Sequence, residues 1–176
     1  MNNILVLYKS KYGATEKYAQ MLQGLLDCDI CQIDDCRGDS LGSYSAVIFA
    51  GGIYAGGIAG IRQFEKLCAG LGDRRLAVLC VGASPFDQKA LEEVTARNLN
   101  TGFLKGIPLF YARGVWDEAR MTFKDRTLCR MLLKMVAKKD PSACEPWMLD
   151  LLNASGQACD WTDEAYLQPL IEYMKM

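Results

Sequence analysis

Six residues near the N-terminus, Ser10-Lys11-Tyr12-Gly13-Ala14-Thr15, have the types and spacing of an anion site. They follow an apolar run, Ile4-Leu5-Val6-Leu7-Tyr8, and lead into a helical pattern. A strand that turns through small hydroxyl and glycine residues into a helix aims backbone N–H groups at one spot. The helix dipole favours negative charge there. Ser10 and Thr15 add hydroxyl donors, and Gly13 permits a positive φ or a close backbone approach. The same residue types also suit an ordinary strand-to-helix turn with Ser10 or Thr15 as a cap. The turn lacks the Gly-Lys-Ser/Thr of a Walker A loop, and its spacing does not match G-x-G-x-x-G. What remains is a site for a terminal phosphate monoester.

Two later segments carry a second kind of signal. Gly51-Gly52-Ile53-Tyr54-Ala55-Gly56-Gly57 packs four glycines around one aromatic residue, and Gly82-Ala83-Ser84-Pro85-Phe86 follows another apolar run. Glycine lets backbone approach a flat ligand closely, and Tyr54 offers a ring to lie against it. The alternative for the first segment is a flexible turn with a partly buried tyrosine.

The chain has 176 residues, which fit one domain able to bury a full core. It contains no histidine, which removes Ser-His-Asp triads, Cys-His dyads and histidine metal sites. If such a chain is an enzyme, its chemistry is expected to belong to a cofactor. Its eight cysteines are scattered, with Cys80 in an apolar run and Cys68 on a helical pattern, so reduced, mostly buried thiols are expected. Cys28-x-x-Cys31 invites a metal reading, but residues three apart on a strand face opposite sides. No apolar run reaches bilayer length, and no signal peptide is apparent. A cytoplasmic location, with room for peripheral contact with a membrane, is the expectation.

The elements that must position these segments follow from periodicity. Strand-like runs fall at Asn3–Tyr8, Asp29–Ile33, Ala46–Ala50, Leu76–Val81 and Ile107–Ala112. Helical patterns fall at Gly13–Leu26, Ala59–Ala69, Gln88–Leu99 and Thr162–Met174. The Gly13–Leu26 pattern puts Ala14, Tyr18, Met21, Leu22, Leu25 and Leu26 on one face. Asp34–Tyr44 is short and rich in Gly, Asp and Ser, so the crossover helix there is reduced or absent. This alternation predicts an α/β, three-layer sandwich with a five-stranded parallel sheet in the order 2-1-3-4-5. Ligands of such sheets bind beyond the carboxyl ends of the strands, at the switch point between strands one and three.

With these three segments each after its strand, the chain resembles the flavodoxin family over nearly its whole length. The resemblance implies non-covalent FMN. Ser10, Lys11, Tyr12, Gly13, Ala14 and Thr15 would hold its phosphate. Gly52, Ile53, Tyr54, Ala55 and Gly56, together with Gly82, Ala83, Ser84, Pro85 and Phe86, would flank its isoalloxazine. A peptide carbonyl near Gly56 would meet flavin N5. The chain is most similar to the flavodoxin-domain subgroup that includes menaquinone-dependent protoporphyrinogen oxidase, through Phe110-Tyr111-Ala112-Arg113-Gly114 and the long segment after it. That likeness implies a redox partner protein or a small acceptor such as a quinone or porphyrinogen. Tyr12 and Ala14 depart from the commoner Thr and Asn of flavodoxin phosphate loops, and the chain's net charge of −1 departs from acidic carriers.

That long segment, Glu118–Lys139, holds seven cations and only two acids, Glu118 and Asp125. Leu128, Met131, Leu132, Met135 and Val136 recur in it at helical spacing. A basic helical insertion over 118–139 is therefore expected within a single domain of residues 1–176. Its apolar stripe packs on its own domain, meets an anionic membrane surface or receives a partner. No nucleic-acid motif accompanies the charge. The segment is expected to be separable from FMN binding and to influence turnover instead. Arg113 is the one charge at the sheet edge that either faces a substrate or forms a structural ion pair.

Overall fold

The computed structural model describes residues 3–100 and 102–176. Strands β1 (Ile4–Lys9), β2 (Asp29–Gln32), β3 (Ala46–Tyr54), β5 (Arg75–Gly82) and β6 (Leu109–Arg113) form a parallel path in the order β2-β1-β3-β5-β6. This is the expected 2-1-3-4-5 arrangement. A short strand, β4 (Gly57–Ile58), is added antiparallel to β3.

Alternate residues of these strands feed two apolar layers, as the period of two requires. Val6, Ile48, Leu79 and Ala112 pack under α1 (Ala14–Leu26) and α6 (Gln168–Lys175). Leu7, Phe49, Val78 and Cys80 pack under α2 (Ile61–Cys68), with α3 (Gln88–Asn98) along the same side. Both faces are covered, so the strands read as continuous apolar runs. Leu25, placed on the apolar face of α1 by periodicity, stands partly exposed.

One expectation about the connections holds, and three others are corrected by the structure. The Asp34–Tyr44 crossover is reduced as expected, to a 3₁₀ helix over Gly38–Ser43 with no α-helix. Strand β3 does not end at Ala50 but runs to Tyr54, where Ala55 (φ 49°) and Gly56 (φ 77°) make a two-residue hairpin into β4. Gly51 is obligatory there, because a Cβ would lie 2.6 Å from the Ala59 carbonyl oxygen. The segment is thus an ordered hairpin. The last helix begins at Gln168, after a 3₁₀ turn over Glu164–Leu167. Of the eight free cysteines, Cys28, Cys68 and Cys80 are buried and five are only half-buried.

After β6 the chain builds an insertion larger than one helix. It comprises β7 (Val115–Asp117), α4 (Phe123–Ala137), α5 (Pro146–Ala154) and β8 (Ala158–Asp160), with β7 and β8 paired antiparallel. Trp116, Leu133 and Ala154 form its own small core, with Cys129, Leu151 and Trp161 packed around them.

Candidate functional site

The turn after β1 opens α1 without a side-chain cap, and Gly13 takes φ 94°, ψ −21°. That conformation belongs to glycine. The first N–H groups of a helix have no intrahelical acceptor, so an uncapped start leaves donors for a ligand. Ser10 Oγ accepts from the Gly13 N–H at 3.1 Å, which tightens the turn while leaving the hydroxyl proton free. Thr15 is buried at the same place.

Beside this turn lies a cavity of about 330 Å³. Of the residues expected at the site, Ser10, Tyr12, Ala14, Thr15, Gly52, Ile53, Tyr54, Ala55, Gly82 and Ala83 line it together. Lys11, Gly13, Gly56, Ser84, Pro85 and Phe86 do not. The Gly56 carbonyl accepts from Asn98 Nδ2 at 2.9 Å. Asn98 Oδ1 in turn accepts from the Ile58 N–H at 3.0 Å, so this one buried amide holds the turn and the return strand β4 of the hairpin. Tyr111 donates its hydroxyl to the Ser84 carbonyl, and Phe86 tilts against the Tyr111 ring with centroids 6.1 Å apart. That contact draws the outer part of the loop to Tyr111. Tyr54 folds back over Gly52, whose Cβ would meet its ring at 2.9 Å. Burial pushes the Tyr54 phenol up to about 12, so it stays protonated at neutral pH.

The other wall comes from the insertion: Gly114, Val115, Trp116, Met121, Asp125, Leu128, Cys129 and Leu132. Motifs do not mark these residues as a cavity wall, because most of them lie on β7 and α4, in the insertion beyond the end of β6. One signal was available, since all three tryptophans of the chain, Trp116, Trp147 and Trp161, fall in or beside this segment. A cluster of large apolar residues in a connection marks a second packing unit. Gly114 brings the insertion close to the turn, as a Cβ there would lie 2.9 Å from Val81 and 3.2 Å from Ala14. The 118–139 segment therefore shares the cavity and is not separable from it.

Two ion pairs tie the insertion to the turn and α1. Lys11 Nζ and the Tyr12 hydroxyl both donate to Asp125 Oδ2, and the Thr122 N–H donates to the Tyr12 oxygen at 3.2 Å. Lys17 meets Asp160 at 2.9 Å. Arg113 forms a structural bridge: it pairs with Asp150 at 2.9 Å, donates to the Ala83 carbonyl at 3.0 Å and stacks 3.8 Å from the centre of the Trp161 ring.

This arrangement belongs to a known fold family. The chain matches the flavodoxin domain over residues 5–143, more than half its length. The chain is a flavodoxin-domain protein. Solved structures with a similar fold include a flavodoxin from the domain Archaea, at 13% identity and TM-score 0.47, covering 73% of this chain and 92% of that one. A flavoprotein in complex with FMN from Lactobacillus acidophilus is 14% identical at TM-score 0.48, covering 64% and 93%. A WrbA-like flavodoxin from Agrobacterium tumefaciens is 19% identical at TM-score 0.44, covering 72% and 88%. No curated protein matches the chain significantly. In this flavodoxin domain, α5, β8 and α6 lie beyond the matched residues. No described helix is long and apolar enough to cross a membrane.

The anchoring carboxylates set a pH dependence. Hydrogen bonds from Lys11 and then Tyr12 hold the Asp125 carboxyl below its usual range. The Thr162 hydroxyl and then Lys17 hold Asp160 at about 2. A depressed carboxylate stabilises the fold fully above its unfolded value, roughly pH 4, and loses that contribution as pH falls through its folded value. The insertion is therefore expected to loosen between roughly pH 4 and pH 2. Tryptophan fluorescence, which reports this segment alone, is expected to change before the far-ultraviolet dichroism of the sheet. A coincident transition, unaltered in Asp160→Asn, would refute the anchoring role.

Proposed function

We propose that this protein binds FMN non-covalently in the cavity between the β1–α1 turn and the insertion, and passes electrons through it. The uncapped start of α1, with Gly13 at positive φ and its neighbours Tyr12, Ala14 and Thr15 lining the cavity, is the observation that carries this reading. It offers backbone donors to a phosphate. The cavity volume of about 330 Å³ falls in the range of small-molecule sites, roughly 300–1,000 Å³. When bound, FMN supplies one- and two-electron transfer.

The protein's own residues do the rest. Ala14 and Thr15 would present N–H groups to the phosphate, and Ser10 its hydroxyl. Gly52, Ile53, Tyr54 and Ala55 would border the ring on one side, with Gly82 and Ala83 beside them. Trp116, Met121, Leu128 and Leu132 keep water from the other side. This apolar wall favours a second reading, in which the electrons go directly to a small apolar acceptor such as a quinone or porphyrinogen and the protein is an oxidoreductase.

The test is a visible spectrum of the purified protein during titration with FMN. Co-purifying flavin bands, or uptake with fluorescence quenching, is the expected result. No uptake at micromolar FMN would overturn the proposal and leave a partner-binding module. Turnover with quinone and porphyrinogen acceptors then separates enzyme from carrier.

Lys11 gives a sharper prediction. It neutralises Asp125 at the cavity wall, so Lys11→Ala leaves a carboxylate held only by neutral donors, with its charge uncompensated near the phosphate. FMN affinity is expected to fall about tenfold, with Asp125→Asn restoring it in the double variant. Riboflavin, which has no phosphate, serves as the control. An equal loss for riboflavin would show that Lys11 acts through the fold and not through charge.

A further inference from the structure

No element among the described residues covers the outward face of α4. Phe123, Leu128, Met131 and Met135 are 85%, 54%, 59% and 62% exposed. Helical geometry gathers Leu128, Met131 and Met135 into one stripe, while Cys129, Leu133 and Val136 turn inward. The apolar stripe expected from periodicity is thus divided between two sides of the helix. Lys124 and Lys138 stand at the ends of the outward stripe, with Arg130 and Lys134 along its flank. Lys124, Lys134 and Lys138 form no ion pair among the described residues. Both acids of the segment are held elsewhere: Asp125 faces Lys11 and Tyr12, and Glu118 accepts from the Gly156 N–H at 3.1 Å. The outward face therefore presents apolar groups, cations and the Thr127 side chain, with neither acid of the segment on it.

We infer that this face lies on an anionic lipid surface. A large exposed apolar stripe on a soluble domain marks an interaction site. A stripe of this size with lysines on both borders fits the boundary between acyl chains and phosphate headgroups, because lysine stems lie along apolar surface while their charge reaches outward. The stripe stands on a single helix and is not walled into a groove, which suits a flat bilayer better than an inserted peptide. The helix has 15 residues, so at 1.5 Å per residue it covers roughly 22 Å of surface. Leu128 also lines the cavity, so docking sets the cavity mouth beside the lipid. The inference concerns α4 and holds whether or not flavin is bound.

The test is co-sedimentation of the full-length protein with vesicles of phosphatidylcholine alone or mixed with phosphatidylglycerol. Binding is expected only with phosphatidylglycerol, and release is expected at high salt. Lys134→Glu with Lys138→Glu is expected to weaken it at least about tenfold, as each basic residue near the surface contributes about one factor of five. Met131→Asp with Met135→Asp is expected to do the same. Both pairs are exposed, so the thermal midpoint and FMN titration are expected to stay unchanged. Absence of binding to the anionic vesicles, or equal binding by the variants, would overturn the inference. So would self-association in sedimentation velocity that Met131→Asp removes, since the face would then belong to a second copy of the chain.

Discussion

Gly13→Val is expected to abolish FMN uptake at concentrations that saturate the unaltered protein, a loss of about a hundredfold or more. The cause is conformational. A Cβ at Gly13 meets no atom within 4 Å, so the substitution creates no clash. Instead φ 94° is forbidden to a β-branched residue, and the turn must relax. Relaxation swings the N–H groups of the first α1 turn away from their common point. Each charge-assisted hydrogen bond lost to the phosphate costs about 1.5–3 kcal/mol, so one or two account for the hundredfold. The fold itself is expected to lose only about 1–2 kcal/mol. Gly13→Asn separates this cause from bulk, because asparagine tolerates positive φ. It is expected to keep most of the affinity, read by flavin fluorescence. Equal binding by the valine variant would sink the phosphate assignment.

The turn was legible because one residue type at one position has few uses. An apolar run, then small hydroxyl residues and glycine, then a helical period leaves little choice of geometry, and Ile4–Tyr8 could only be a buried strand. The β3–β4 hairpin was not legible. Its glycines read as flexibility, whereas Gly51 is excluded from having a side chain by the Ala59 carbonyl, and Ala55 adopts a positive φ that no propensity suggests. What fixes that hairpin is Asn98, about 40 residues away in sequence. The α4 stripe was half legible. Its period was plain, but periodicity does not say which side of a helix meets the domain. Leu133 is buried because β7, β8 and α5 gather around it, and these elements come from short segments with weak local signals. The cavity wall they form depends on pairing of Trp116 with Cys159, a contact across the whole insertion.

Arg113 decides whether that wall stays in place. Arg113→Met is expected to detach the insertion while leaving the sheet folded. The guanidinium has 13% of its side chain exposed and holds three different groups: the Asp150 carboxylate, the Ala83 carbonyl and the Trp161 ring. Methionine keeps some of the packing volume but supplies no donor. Breaking a buried ion pair costs about 3–5 kcal/mol, but Asp150 is 42% exposed and regains water. Solvent screening brings the expected loss to about 2 kcal/mol, with the lost stacking on Trp161 included. The loss is local, because Arg113 sits where β6 hands over to the insertion. The Tyr18 hydroxyl, which donates to the Arg113 carbonyl at 2.5 Å, does not need the side chain and keeps that strand end on α1. Hydrogen exchange is therefore expected to accelerate in α4, α5 and β8 with β1, β3 and β5 still protected. If FMN sits as proposed, riboflavin and FMN affinities should both fall, since Trp116, Met121, Leu128 and Leu132 would border the ring system that the two share. A uniform loss of protection across the sheet would show that Arg113 supports the whole fold. Unchanged exchange in α4 and α5 would show that Trp116 and the ion pairs at Lys11 and Lys17 hold the insertion without it.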